Sequence, residues 1–290
     1  MNFTRIKKIA AVHDLSCFGR CSLTVIMPIL SCMGIQVCPL PTAILSTHLG
    51  GFKNVAFHDL TDEIPSFFHH WYQEELTFDC IYSGFLASAE QIGVVSEFID
   101  KFSDNAPLVL IDPVMGDDGR LYSTYTAKMQ EHIRQLVRKA DVITPNYTEA
   151  CFLLEESYRD IVPRPDILHS WLLRLSELGP QQVVITGVPL PDNKIATLCY
   201  ESETARFSQI VRELIPARYP GTGDIFASVL LGALLEKHSL PDAMKMADHF
   251  VASSVQDTFL AGTPTREGVL LENSLHRLCR IPHKNTDSEE

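Results

Sequence analysis

Residues 220–224 read Pro-Gly-Thr-Gly-Asp and run directly into the apolar stretch 225–231, Ile-Phe-Ala-Ser-Val-Leu-Leu. The two glycines let the backbone come close to a ligand, and the apolar stretch predicts a buried helix whose first amides stay free. Free amides and the helix dipole both favour negative charge at such a terminus. The segment therefore predicts a phosphate-binding turn. Its spacing is neither that of a Walker A loop nor the Gly-x-Gly-x-x-Gly of dinucleotide folds.

Asp224 follows this turn at the start of the predicted helix. An acid at a helix start commonly acts as a cap and stabilises the protein by about 0.5–2 kcal/mol. An acid beside a phosphate site can instead act as a general base. The turn alone supports the two interpretations equally.

Short apolar runs alternate with amphipathic segments of helical length along most of the chain, which predicts βαβ units and a mostly parallel sheet. Strands are predicted at 8–12, 35–38, 80–83, 108–111, 142–144 and 182–186, with an antiparallel pair at 195–200 and 204–211. Helices are predicted at 22–33, 62–75, 88–101, 124–140, 148–154, 165–178, 224–236 and 241–258. The sequence thus predicts an α/β fold in one domain over 1–282, with a frayed tail over 283–290.

Composition excludes several classes of partner. The 290 residues carry 24 Lys and Arg against 36 Asp and Glu, a formal charge of -12 that would repel nucleic acid or an anionic membrane. Prolines and a glycine interrupt the uncharged stretch 21–52, so it predicts a buried helix and strand rather than a membrane span. The N-terminus lacks the apolar core of a signal peptide, and the eight cysteines have no metal-site spacing. We expect a cytoplasmic protein.

Polar side chains follow three of the predicted strands. Asp112 follows the strand at 108–111, Asn146 and Glu149 follow the strand at 142–144, and Thr186 ends the strand at 182–186. Open α/β sheets bind ligands at the carboxyl ends of their strands, and carboxylate and amide oxygens suit Mg²⁺. Each residue alone is more typical of a turn or a helix cap. Together with the turn at Gly221, they predict a site for a nucleotide with Mg²⁺.

In combination these motifs resemble the ribokinase-like superfamily of small-molecule kinases, and within it the pyridoxal kinases, along the chain to about Thr258. The resemblance implies a three-layer α/β/α sandwich with a mostly parallel central sheet. The matching segments are Gly-Thr-Gly-Asp at 221–224, Asp-Pro-Val-Met-Gly-Asp at 112–117, Thr-Pro-Asn at 144–146 with Glu149, Val-Ile-Thr at 184–186, and Ser46 with His48. The first is shared by the whole superfamily, and the next two also occur in hydroxymethylpyrimidine kinases.

The resemblance implies a role for each matching residue. Asp224 would be the general base that takes the proton of a substrate hydroxymethyl group. The amides of Gly221, Thr222 and Gly223 would stabilise charge on the transferred phosphoryl group. ATP would contact Asp112, Asn146, Glu149, Thr186, Gly187, Thr222 and Gly223. Asp112 and Glu149 would hold Mg²⁺, and a monovalent cation is a further possible requirement of the family.

Two more groups of residues follow from the resemblance. A segment over the phosphates would act as a lid with glycine hinges, and its named members are Gly116, Asp117, Gly119 and Tyr122. The other group would bind the substrate together with Asp224, and comprises His13, Asp14, Ser46, His48 and Phe85.

The match to the family is looser around the first strand. His13-Asp14 stands where the pyridoxal kinases usually have Ser-His and the pyrimidine kinases have Ser-Asp-Ser, and Leu49 replaces a frequent threonine. Asp14 could bind the substrate ring, or it could pair with His13, and the sequence favours neither alternative. Arg20 could reach a phosphate, although a structural role is the more common one.

The function implied by the resemblance is ATP-dependent phosphorylation of the 5'-hydroxymethyl group of pyridoxal, pyridoxine or pyridoxamine by a homodimer. The alternative within the superfamily is a hydroxymethylpyrimidine kinase of thiamine biosynthesis. A vitamer-binding protein without turnover is the alternative from another class. The intact turn with Asp224 argues against it, because loss of activity would relax the requirement for the acid.

Overall fold

The computed structural model describes residues 5–122, 125–158 and 164–279. The strands are β1 Lys8–Ser16, β2 Gln36–Leu45, β3 Phe57–Asp59, β4 Cys80–Ser83, β5 Leu108–Ile111, β6 Gly116–Asp117, β7 Arg120–Leu121, β8 Val142–Ile143, β9 Gln182–Leu190, β10 Lys194–Glu201 and β11 Arg206–Glu213. The α-helices are α1 Leu23–Cys32, α2 Ile64–Gln73, α3 Ala89–Phe102, α4 Ala127–Val137, α5 Tyr147–Leu154, α6 Pro165–Ser176, α7 Thr222–Leu235 and α8 Leu240–Ala261.

Nine of the strands form one sheet in the order β11-β10-β9-β8-β5-β4-β1-β2-β3. Pairing is parallel from β9 to β2 and antiparallel for the edge strands β10, β11 and β3. From β1 the chain proceeds to β2 on one side and later returns to β4 on the other. Such a switch point opens a crevice at the carboxyl ends of the strands, where ligands of open α/β sheets bind.

Helices cover both faces of this sheet. On one face the core joins the sheet to α1, α7 and α8 through residues such as Ile26, Leu230 and Met244. On the other face it joins the sheet to α2 through α6, with Phe68 and Phe98 among its fully buried members. The predicted α/β class and three-layer arrangement are confirmed.

Strand boundaries differ from prediction where prolines or glycines interrupt a run. The predicted strands 80–83 and 108–111 match β4 and β5. β2 continues through Pro39 and Pro41, because β3 pairs only with Ala43–Leu45 on the outer side and leaves the edge free beside the prolines. The hairpin of β6 and β7 and the short β3 were not predicted.

Two predictions concern residues that the structure does not describe, either wholly or in part. The tail at 283–290 and the start of the predicted helix at 124–140 lie outside the described residues. Within the described ranges, no helix combines the length and apolar character needed to cross a membrane.

Candidate active site

The polar residues that follow the parallel strands lie together at one edge of the sheet. The Asp112 amide donates to the Ser83 carbonyl over 2.8 Å, the Thr144 amide donates to the Ile111 carbonyl over 3.3 Å, and Asn146 forms a β-bridge with Thr186. This edge borders the switch point between β1 and β4. The sequence therefore predicted correctly which side chains share it.

The glycine turn places a helix start beside this edge. Gly221 has a φ of 81° and directly precedes α7, which has no side-chain cap. A Cβ at Gly221 would lie 2.2 Å from the Arg20 carbonyl oxygen, so only glycine fits the site without moving the backbone. The turn thereby leaves first-turn amides of α7 open to an anion.

Asp224 lies half-buried in the first turn of α7, and its Oδ2 accepts the Ser22 amide over 2.8 Å. Removal from water raises the pKa of this carboxyl to about 7, the charge of Asp14 adds to the rise, and the Ser22 amide opposes it. A carboxylate with a pKa near neutrality suits proton transfer at physiological pH. Its partner belongs to another segment of the chain, which disfavours the interpretation of Asp224 as a local cap.

Asp112 is buried, and its Oδ1 accepts the Thr144 hydroxyl over 3.1 Å. Its Oδ2 points toward the glycine turn, at 3.7 Å from the position a Cβ would take on Gly223. Burial raises the pKa of Asp112 to about 8, and the charge of Asp224 contributes to the shift. Asp112 and Asp224 thus lie close enough for the charge of one to disfavour ionisation of the other.

Glu149 and Asn146 form a capping box at the start of α5. The Asn146 Oδ1 accepts the Glu149 amide over 2.9 Å, and the Glu149 Oε2 accepts the Asn146 amide over 2.8 Å. The Glu149 Oε1 accepts the Met115 amide over 3.0 Å, and the Asn146 Nδ2 donates to the Gly116 carbonyl over 2.9 Å. The Thr-Pro-Asn-x-x-Glu motif thus fastens the loop after β5 to α5.

A divalent cation fits Asp112 better than Glu149. Asp112 has an oxygen directed toward the glycine turn, whereas both Glu149 oxygens already accept backbone hydrogen bonds. In the described part of the chain, no group of three or more His, Cys, Asp or Glu side chains could cage a metal. Mg²⁺ keeps several waters in proteins and binds through one or two carboxylates and substrate phosphates, so Asp112 could hold it beside the glycine turn.

The predicted lid segment folds as the hairpin of β6 and β7. Asp118 and Gly119 occupy its two-residue turn with φ values of 51° and 71°, the signature of a type I′ turn. The Gly119 amide donates to the Thr148 hydroxyl over 3.0 Å, and Asp118 forms an ion pair with Arg218 just before the glycine turn. The hairpin therefore connects α5 with the segment just before the glycine turn.

The remaining lid residues are part of this hairpin as well. A Cβ at Gly116 would lie 2.1 Å from the Arg120 carbonyl oxygen, so Gly116 permits the close approach of the two strands. Asp117 is exposed at the end of β6. The Tyr122 amide donates to the Met115 carbonyl over 2.9 Å, directly after β7, and partial burial together with the charge of Glu149 raises the pKa of its hydroxyl. Movement of the hairpin stays a prediction.

Thr186 does not end its strand as predicted. β9 continues to Leu190, and its register against β10 shifts between Ile185 and Val188. Gly187 has a φ of 69°, which is typical of the glycine in a β-bulge. The bulge leaves Thr186 half-buried and Gly187 exposed at the sheet edge, next to Asn146.

The substrate end of the predicted site contains two different environments. His13 is fully buried, and its ring packs against Tyr82 with centroids 4.3 Å apart. Neither of its ring nitrogens has a hydrogen-bond partner among the described residues, and burial lowers its pKa to about 3. Asp14 instead accepts the hydroxyls of Ser16 and Ser22 over 2.8 and 2.6 Å. The alternative of a His13–Asp14 pair is therefore wrong.

His48 and Ser46 both form hydrogen bonds with backbone groups. The His48 Nε2 lies 2.7 Å from the Arg266 carbonyl oxygen, and its Nδ1 accepts the Gly50 amide over 3.1 Å. The Ser46 hydroxyl accepts the Ala56 amide over 3.0 Å. Substrate contact by these two residues stays a prediction, and the structure assigns them to holding the loop after β2.

Phe85 and Arg20 complete the set of predicted residues. Phe85 is half-buried after β4, with its ring centroid 6.3 Å from that of Tyr125. The Arg20 side chain donates to both oxygens of Glu272 over 3.0 Å and to the Glu267 carbonyl over 3.1 Å. These bonds are consistent with the structural role of Arg20, and its contact with a phosphate stays a prediction.

Glu149→Gln should lower the free energy of unfolding by about 1–3 kcal/mol, because glutamine offers one acceptor oxygen where Glu149 satisfies two buried amides. Urea unfolding measures this loss. The matched control is Glu155→Gln, whose side chain is 71% exposed and pairs with Arg134 at the surface, where the loss should be at most about 1 kcal/mol. Equal losses in the two variants would contradict the anchoring role of Glu149.

An α/β/α sandwich in which an acid directly follows a glycine turn at a helix start is typical of the ribokinase-like class of small-molecule kinases. The chain belongs to the phosphomethylpyrimidine kinase family, whose sequence model matches residues 32–267. It is accordingly an ATP-dependent small-molecule kinase, as the resemblance implied.

Three relatives illustrate the similarity. A candidate phosphomethylpyrimidine kinase from Bacteroides thetaiotaomicron is 46% identical, with a TM-score of 0.92 over 98% of this chain and 97% of its own. Another crystal form of that protein contains pyridoxal. Pyridoxal kinase from Lactobacillus plantarum is 30% identical, with a TM-score of 0.85 over 94% of this chain and 97% of its own. Hydroxymethylpyrimidine/phosphomethylpyrimidine kinase from Bacillus subtilis is 30% identical over 70% of this chain and 74% of its own.

Proposed function

We propose that this kinase phosphorylates the 5'-hydroxymethyl group of pyridoxal, pyridoxine or pyridoxamine with ATP. The observation that carries the chemical step is the Asp224 carboxylate, held at the start of α7 with a pKa raised to about 7. The choice of a B6 vitamer is supported by the crystal form of the 46% identical protein that contains pyridoxal.

In this proposal Asp224 takes the proton of the 5'-hydroxyl as the hydroxyl oxygen attacks the γ-phosphorus of ATP. The bond from that phosphorus to the bridging oxygen breaks, and ADP leaves. Amides of the glycine turn donate to the phosphoryl oxygens, which gain charge in the transition state. Asp112 would hold Mg²⁺, which neutralises phosphate charge when it is bound. Glu149 and Asn146 would act by holding the hairpin of β6 and β7 over the phosphates, through their bonds to Met115 and Gly116.

Asp14 would face the substrate ring. Its buried carboxylate accepts two hydroxyl donors and lies close enough to raise the pKa of Asp224. An acidic group in this position favours a substrate ring that carries a hydrogen-bond donor or a positive charge. Thr186 and Gly187 would contact the nucleotide at the exposed bulge of β9, on the far side of Asn146.

The second candidate is a hydroxymethylpyrimidine kinase. The family model and the relative from Bacillus subtilis favour it, since both are named for pyrimidine substrates. Both acceptors present a hydroxymethyl group on a six-membered nitrogen heterocycle, so the same base and turn serve either one. The homodimer, the monovalent cation and the cytoplasmic location stay predictions.

Steady-state ADP release from Mg-ATP with pyridoxal, pyridoxine, pyridoxamine and hydroxymethylpyrimidine tests the proposal. We expect kcat/KM for at least one B6 vitamer to exceed that for the pyrimidine by about tenfold or more. A preference for the pyrimidine would establish the second candidate. ATP-dependent turnover of none of the four would contradict both assignments.

The pH dependence of kcat/KM should show an acid limb near pH 7, because Asp224 must be ionised to accept a proton and its pKa is raised to about 7. The rate should fall about tenfold per pH unit below the limb. Asp14→Asn should move the limb to lower pH, since the charge of Asp14 raises the pKa of Asp224. A flat profile between about pH 5.5 and 8 would contradict the assignment of Asp224.

A further inference from the structure

Ser22 has a backbone conformation that is rare for its residue type. It lies between β1 and α1 with a φ of 50° and a ψ of -135°, and it is buried. A non-glycine residue is held in such a region only where its surroundings require it, and such residues concentrate at functional sites. The sequence placed Ser22 merely at the start of a helix.

The two polar groups of Ser22 bind two carboxylates from different elements. Its amide donates to the Asp224 Oδ2 over 2.8 Å, and its hydroxyl donates to the Asp14 Oδ1 over 2.6 Å. Asp224 belongs to α7 and Asp14 to β1, at the point where the register between β1 and β2 shifts. One residue thus connects the base to the acidic group at the substrate end.

We propose that Ser22 is a positioning residue that holds Asp14 and Asp224 in one hydrogen-bonded chain. The inference rests on the proposed function, in which Asp14 faces the ring and Asp224 faces the hydroxymethyl group. The ring and the hydroxyl are a fixed distance apart in the substrate, so the two carboxylates must keep a matching distance. A displacement of about 1 Å can lower a rate by about 10²-fold.

The hydroxyl is the part of Ser22 that makes this connection specific. Without the hydroxyl, the amide of residue 22 could still donate to Asp224, but no bond would fix the distance between that amide and Asp14. The effect on the reaction should therefore appear in kcat as well as in the KM for the acceptor. In the proposed function ATP would contact Thr186 and Gly187 rather than residue 22, so its KM should stay unchanged.

Ser22→Gly tests the connection, because glycine accepts the backbone conformation and lacks the hydroxyl. We expect kcat with the preferred vitamer to fall by about tenfold or more, and the KM for that vitamer to rise. The KM for ATP should stay within about twofold. Relief of the strained φ should offset part of the stability lost with the bond from the hydroxyl to Asp14. Ser22→Ala keeps the side-chain carbon without the hydroxyl and should show the same kinetic losses.

Ser16→Ala is the matched control. The Ser16 hydroxyl donates to the other oxygen of Asp14 over 2.8 Å, and the structure shows no bond from it to Asp224. We expect this variant to raise the KM for the vitamer and to leave kcat within about twofold of wild type. A loss of kcat in Ser22→Gly but not in Ser16→Ala would show that Ser22 positions Asp224 and does more than support Asp14.

Two results would overturn the inference while the proposed function stands. One is a Ser22→Gly enzyme with wild-type kcat and KM for the vitamer. The other is a loss of kcat in Ser16→Ala equal to that in Ser22→Gly, because support of Asp14 alone would then explain both. Absence of wild-type turnover with every acceptor would instead overturn the proposed function, and this inference with it.

Discussion

Asp224→Asn is expected to lower kcat by about 10²–10⁴-fold, which is the range for loss of a positioned general base. Asparagine has nearly the same shape, and its side-chain oxygen can still accept the Ser22 amide that Asp224 accepts. It cannot take up a proton from the acceptor hydroxyl. Steady-state kinetics measure the loss, and equilibrium titration should show ATP affinity within about threefold of wild type.

Asp242→Asn is the matched control for this change. Asp242 also lies in the first turn of a helix, where its carboxylate accepts the exposed Ser239 hydroxyl over 2.6 Å. Its loss should affect only local helix stability, by about 0.5–2 kcal/mol, and leave kcat unchanged. An Asp224→Asn enzyme with near wild-type kcat would remove Asp224 from the role of base.

Gly221→Ala should produce the second large effect, on both stability and rate. Alanine in the left-handed region costs about 1–2 kcal/mol, and its Cβ would meet the Arg20 carbonyl at 2.2 Å. The turn must therefore move, and the amides that it directs toward the phosphoryl group move with it. We expect kcat to fall by about 10²–10³-fold, the range for loss of one donor to a developing oxyanion.

Gly262→Ala separates backbone strain from displacement of the turn. Gly262 ends α8 with a φ of 66°, and a Cβ there would have no neighbour within 4 Å. Gly262→Ala should lower the free energy of unfolding by the same amount, about 1–2 kcal/mol, without any change in kcat. Urea unfolding and steady-state kinetics on both variants give the comparison. Equal kcat in the two variants would contradict the role assigned to the turn.

Local sequence predicts the elements whose signals are complete within a few residues. β4 and β5 are short apolar runs bounded by polar or turn residues, and the structure reproduces both boundaries. The predicted helix start at 88 lies one residue from that of α3, where Ser88 accepts the Gln91 amide over 3.1 Å. In these cases the deciding interactions lie within one turn or one strand.

Longer-range pairing explains the misplaced boundaries. β2 continues through its prolines because the outer strand β3 pairs only with the end of β2. β9 continues through Gly187 because a bulge accommodates that residue. The hairpin of β6 and β7 is two residues per strand, and only its Asp118-Gly119 turn carries a sequence signal. These strand boundaries and the short hairpin depend on contacts with segments that are distant in the sequence.

The candidate site follows the same rule. Topology places Asp112, Asn146 and Thr186 at one edge, and the sequence could predict this because parallel strands share their carboxyl ends. The hydrogen-bond partners of each group could not be predicted. Ser22 and Asp224 are about 200 residues apart in the sequence, so no local pattern predicts the bond between them or its link to Asp14.

The most direct test of the central claim is identification of the reaction product from wild-type protein, Mg-ATP and pyridoxal. We predict that mass spectrometry shows one added phosphoryl group and that phosphorus–proton NMR correlation places it on the 5'-methylene oxygen, with one ADP formed per product. Asp224→Asn should form this product far more slowly. ADP formed without a phosphorylated vitamer, or a phosphoryl group at another position, would contradict the account.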